Sequence, residues 1–125
     1  MPGGVPAGTT RAPSHWPSVR TGTVALLACY GPASLAKQVI GGVTRMHAKV
    51  KGETPAGEAY EALDPVLLDW VAATAAYGFL TAYDRFVSPL SKADKDRFLR
   101  DSEAVGSQFG ARRTPQSVDD FMAML

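Results

Sequence analysis

Glycine and proline cut this 125-residue chain into segments, and that punctuation constrains the fold more than any other feature. Gly31-Pro32, Asp64-Pro65 and Ser88-Pro89 each stop one segment or open the next. Glycine suits the residue after a helix, and proline suits a first helical turn, whose N–H groups have no intrahelical partner. Between the breaks, apolar residues recur at helical spacing and no run alternates as a half-buried strand would. The pattern predicts an all-α protein, a partial helical bundle of about five helices. It occupies residues 19–125, behind a disordered leader over 1–18 rich in proline and glycine.

The first helix is expected over Val19 to Tyr30, where Val24 to Tyr30 is apolar nearly all round. The second is expected from Pro32 to about Val50, with Leu35, Val39, Ile40, Val43, Met46, His47 and Val50 on one stripe. The adjacent Gly41 and Gly42 would permit either a close helix contact or a bend there. Residues 51–62 read as a loop. A third helix, capped by Asp64, runs to about Val87, its middle from Trp70 to Leu80 belonging in a core. Ser91 to Asp94 approximates a capping box opening a charged helix to about Ser107, with Phe98 and Val105 as anchors and Leu99 between them. A linker over Gly110 to Pro115 precedes a last short helix capped by Ser117, whose apolar end suggests a domain cut short.

A single cysteine, Cys29, excludes an internal disulfide and a cysteine-rich zinc cluster. The longest unbroken apolar run has seven residues, Val24 to Tyr30, so no membrane span is expected. With no signal-peptide pattern, the expected location is cytoplasmic. Charge is uneven: residues 1–52 hold six basic side chains and no acid, while the remainder holds 12 acids against seven bases. Six dispersed cations without interleaved aromatic residues make a poor nucleic-acid surface, and no nucleic-acid partner is expected. Asp94, Asp96 and Asp101 alternate with lysine and arginine and read as a solvated, ion-paired face. Asp64, Asp69 and Asp84 are too widely spaced for an obvious metal site.

Few side chains here carry chemistry. Glycine-rich phosphate loops, His-x-x-x-His pairs and nucleophile elbows are absent from the sequence. His15 sits in the leader. His47 follows Ile40 and Val43 on the apolar stripe of the second helix. Two readings are open: a core imidazole satisfied by hydrogen bonds, or a lone axial ligand to haem iron, which needs no second protein donor. If Gly31-Pro32 folds the first two helices back on each other, Thr21 and His47 lie roughly 15 and 22 Å from the turn. Arg20 and Thr21 are then candidate polar neighbours of His47, their bland reading being a solvated arginine and a first-turn threonine.

Taken in order, Arg20-Thr21, Tyr30-Gly31, Met46-His47-Ala48-Lys49-Val50-Lys51-Gly52, Tyr60 and Ala62-Leu63-Asp64-Pro65 form a pattern. It continues through Leu67-Leu68, Trp70-Val71, Ala73-Thr74, Phe79-Leu80, Ala82-Tyr83, Pro89-Leu90-Ser91, Asp96-Arg97, Val105-Gly106 and Gly110. It resembles the mpaB-type and rubber (latex-clearing) oxygenase catalytic domains over residues 19–125. The resemblance implies an all-helical fold binding haem b and an oxidoreductase using dioxygen on a small hydrophobic substrate. It implies His47 as the metal and cofactor ligand and Arg20 and Thr21 as catalytic pocket residues. Family members commonly carry a histidine where this chain has Ala72, and their domains extend before Arg20 and after Leu125. The expectation is therefore a truncated domain, and the alternative is a non-catalytic helical remnant acting through self-association or a partner.

Overall fold

The computed structural model describes residues 16–125, with side chains from residue 19 onward. Its elements in chain order are α1 (Trp16–Tyr30), α2 (Ala33–His47), β1 (Lys51–Glu53), β2 (Ala59–Glu61), α3 (Pro65–Phe86), α4 (Lys92–Gln108) and α5 (Val118–Met122). The mostly helical architecture with five helices is as expected. Most of the anticipated leader lies outside the described residues, but its last three residues open α1.

The α1–α2 connection is two residues long because Gly31 allows it. Its N–H donates to the Leu27 carbonyl at 3.0 Å, and a Cβ there would sit 2.5 Å from that oxygen. Pro32 is the N-cap of α2 rather than its first helical residue, and its carbonyl accepts from the Ala36 N–H at 2.9 Å. The two helices pack on each other, burying Ala36 and Ile40. The helix α2 runs unbroken through Gly41 and Gly42. These glycines bed the guanidinium of Arg45: a Cβ on Gly41 would lie 3.3 Å from its Nη1.

At His47 the chain leaves the helix, three residues earlier than expected. The Lys49 and Val50 N–H groups donate to the Met46 and His47 carbonyls in tight turns, and the backbone then extends into β1. The expected loop over 51–62 holds a correction, an antiparallel hairpin with Lys51 opposite Glu61, Gly52 opposite Tyr60 and Glu53 opposite Ala59. Its five-residue turn uses Gly57 at φ +81°, a left-handed conformation that glycine adopts freely.

The core lies among α3, α4 and α5. Ala73, Leu80, Leu99 and Phe121 are at most 3% exposed, and Tyr77 stacks on Phe121 with ring centroids 4.1 Å apart. Leu99, 1% exposed, is the main anchor of α4, whereas its neighbour Phe98 is 41% exposed. The α3–α4 crossing is close because Gly106 has no side chain: a Cβ would meet Thr114 Cγ2 at 3.1 Å and the Ala72 Cβ at 3.4 Å. After α4, the Gly110 and Ala111 N–H groups donate to the Ser107 and Gly106 carbonyls, a Schellman end with Gly110 at φ +99°.

Carboxylates fasten the connections. Asp64 caps α3 through the Val66 and Leu67 N–H groups. Asp69 on α3 accepts from the Arg112 and Arg113 N–H groups at 2.6 and 3.0 Å. Asp84 accepts from the Leu90 N–H and pairs with Lys95, each at 2.7 Å. Asp96 accepts from the Val118 N–H at 2.9 Å, while Lys92 bridges Asp96 and Asp119. Asp96 thus departs from the expected solvated face and ties α4 to α5, whereas Arg97–Asp101 remains an exposed surface pair.

The middle of α3 is less enclosed than expected. Ala73 and Leu80 are buried, but Trp70, Val71 and Phe79 are exposed. Among the described residues, α3 is a helix long and apolar enough to cross a membrane by length and composition, and 11% of that window is buried. Counting unbroken apolar runs missed it because Asp69 and scattered small polar residues interrupt the run without abolishing its mean hydropathy.

Two predictions concern these ties. Asp69→Ala leaves two backbone donors without their acceptor and should cost about 1–3 kcal/mol in urea unfolding, with Asp69→Asn less costly. Amide exchange at Arg112 and Arg113 should accelerate in the alanine variant. The Lys95 ammonium, with the Leu90 N–H, holds the Asp84 carboxyl below its ordinary 3.8, and the Val118 N–H and Lys92 do the same for Asp96. Their contribution is present above pH 3.8 and is lost as pH falls through the lowered native values, because the unfolded chain takes up protons first. Melting temperature should therefore drop with falling pH in that acid range, and Asp84→Asn should flatten the dependence.

Candidate functional site

The end of α2 carries the imidazole that the sequence singles out. His47 is half-buried and lines a cavity of about 220 Å³ with Ala48, Val50, Lys51, Glu61 and Leu63. One short stretch supplies most of this wall because the helix stops at His47 and turns directly into β1. The hairpin register then sets Glu61 opposite Lys51, with Nζ and Oε1 2.9 Å apart. Tyr60 lies across Gly52, where a Cβ would come within 2.8 Å of the phenol oxygen. The bare Gly52 thus lets the Tyr60 ring lie over the strand pair beside His47.

A second, more open hollow of about 490 Å³ lies on the other side of Ala48, lined by Gly42, Arg45, Met46, Ala48 and Lys49. The concave surface around the α2 terminus thus combines apolar walls with four cationic or ionisable groups, Arg45, His47, Lys49 and Lys51. Its one carboxylate is Glu61.

The three site residues singled out in the sequence separate into two groups. Arg20 and Thr21 are exposed on α1, in the helix that packs against α2. Neither lines the cavity of His47; the hairpin supplies its polar neighbours instead. Lys51 and Leu63 fall within motif segments visible in the sequence, but nothing there signalled that they would share a wall. Glu61 is legible only from the strand register. His15 lies outside the described residues.

Among the described residues there is no group of three or more histidine, cysteine, aspartate and glutamate side chains able to hold a metal ion. A single imidazole can suffice as the protein ligand of a haem iron, but the lining around His47 divides evenly between Ala48, Val50 and Leu63 and the ionisable His47, Lys51 and Glu61. The cavity is smaller than the roughly 300–1,000 Å³ typical of enclosed ligand sites, so in this structure it does not enclose a macrocycle.

Among curated proteins and among solved structures, no chain matches this one. A family model described as the ER-bound oxygenase mpaB/B'/rubber oxygenase catalytic domain matches residues 17–125. That span takes in all of the helices and the hairpin except the first residue of α1, and it includes the residues that line the cavity of His47. The chain belongs to the mpaB/rubber oxygenase catalytic domain family.

Proposed function

We propose that this chain is a haem-dependent oxygenase domain that acts with dioxygen on a small hydrophobic substrate. The reading is supported by the family match over residues 17–125 together with a half-buried His47 at a hollow whose lining includes Ala48, Val50 and Leu63. In this reading His47 would hold the iron of haem b. When bound, haem supplies an iron centre at which dioxygen is activated for oxidation of the substrate.

The other roles belong to the chain itself. Ala48, Val50 and Leu63 line the hollow beside the imidazole and offer it apolar neighbours. Arg20 and Thr21, on the helix packed against α2, offer a guanidinium and a hydroxyl for polar groups that reach them. The exposed apolar side of α3, with Val71 and Phe79, offers a wall that a hydrophobic chain can cover.

A second reading rests on the exposed apolar residues around α3. Val66, Phe79 and Phe86 are 74%, 63% and 79% exposed, and apolar area of that kind marks contact surfaces. Under it the chain is non-catalytic and self-associates. Light scattering separates the two: a monomer with little dye binding removes the association reading.

Hemin titration tests the first reading. The wild-type chain should give a saturable Soret band characteristic of imidazole ligation, and His47→Ala should lose it while His15→Ala retains it. Identical spectra for wild type and His47→Ala would remove the ligand assignment.

A further inference from the structure

Two helix faces stay open in the single chain. The helices α1 and α2 pack on each other, and α3 packs on α4 and α5, with the β1–β2 hairpin between the two groups in the chain. On α1, Val19, Leu26 and Tyr30 share one side and are 62%, 62% and 86% exposed. On α3, Leu67, Val71, Phe79 and Phe86 lie away from the buried Ala73 and Leu80 and are between 42% and 79% exposed. Gly78 belongs to that same side, and a Cβ there would meet nothing within 4 Å. The two carboxylates of α3 are engaged elsewhere, Asp69 with the chain after α4 and Asp84 with Lys95.

We propose that two copies of this chain pair reciprocally, the α1 face of each lying on the α3 face of the other. The inference rests on the association reading above, names both faces and requires nothing of His47. Area selects the reciprocal arrangement. With aromatic side chains at about 200 Å² and aliphatic ones at about 120 Å², the α3 face offers roughly 400 Å² and the α1 face roughly 300 Å². A specific interface takes at least about 600 Å² from each partner, so α3 against α3 falls short and the two faces together suffice. Charge selects the same arrangement. Residues 16–50 carry Arg20, Lys37, Arg45 and Lys49 and no acid, whereas residues 64–125 carry nine carboxylates against seven cations. Setting α1 on α3 brings opposite net charges together, and setting like helices together does the reverse.

Sedimentation velocity of the full chain over a range of concentrations tests the pairing, in wild type, Leu26→Lys, Phe79→Glu and an equimolar mixture of the two variants. Both side chains are exposed in the single chain, so far-UV circular dichroism should match wild type. Wild type should dimerise, and each variant should weaken the dimer on the order of 100-fold, because its charge enters both contacts. The mixture should recover to within about tenfold of wild type, since one contact is then native and the other sets lysine against glutamate. Val19→Lys and Phe86→Glu form a second pair with the same expectation if either variant loses its helical signal. Folded variants that fail to recover on mixing would overturn the reciprocal arrangement. A dimer lost in Phe79→Glu but kept in Leu26→Lys is α3 against α3, which defeats this inference and leaves the association reading standing. A wild-type monomer defeats both, and a monomer that binds phosphatidylcholine–phosphatidylglycerol vesicles makes lipid the occupant instead.

Discussion

Backbone N–H groups in the connections of this chain are held by aspartates from distant elements, and the α3–α4–α5 unit depends on those bonds. Asp69 reaches from the first half of α3 to the residues after α4, more than forty positions later in the chain. Asp84 secures the α3–α4 turn and Asp96 the start of α5. The bonds to the Leu90 and Val118 N–H groups are partly buried and so remove a penalty as well as adding an attraction, whereas those to Arg112 and Arg113 are exposed and add attraction alone. The apolar contribution is concentrated in a few small or flat contacts: Gly106 against Ala72 and Thr114, and Tyr77 on Phe121. Carboxylates stand in for a larger core.

That division explains where the candidate site lies. The rigid unit made by α3, α4 and α5 spends its polar groups on holding connections. Chemistry is left to the α2 terminus, where helix, tight turn and hairpin meet within a few residues. His47 owes its surroundings to an abrupt helix end. Had α2 continued to Val50, as the apolar stripe implied, Lys51 and Glu61 would not face each other beside the imidazole. The Ala72 position belongs to the packed unit: its methyl abuts Gly106, so it serves the α3–α4 crossing.

The helices were readable because their start and stop signals are local. Asp64-Pro65, Ser91 and Ser117 cap in the structure as their residue types require. The hairpin was not readable: two three-residue strands offer no alternation, and Tyr60 over Gly52 is a contact across the turn, not a pattern along the chain. Asp96 escaped for a related reason, since a carboxylate that binds a remote backbone N–H resembles any helix-surface charge in sequence. Of the site, His47 was visible through its apolar stripe, and Glu61 was not, because register alone brings it there. The pairing of Arg20 and Thr21 with His47 by helix height was incomplete, since height along a hairpin leaves the facing direction of each side chain unset.

The account turns on one bond between an imidazole and iron, and vibrational spectroscopy observes that bond directly. Resonance Raman of the hemin complex reduced to the ferrous state with dithionite should show an iron–histidine stretch in wild type and in His15→Ala. It should vanish in His47→Gly and return when free imidazole is added to fill the vacated position. An iron–histidine stretch that persists in His47→Gly without added imidazole would contradict the assignment of the site.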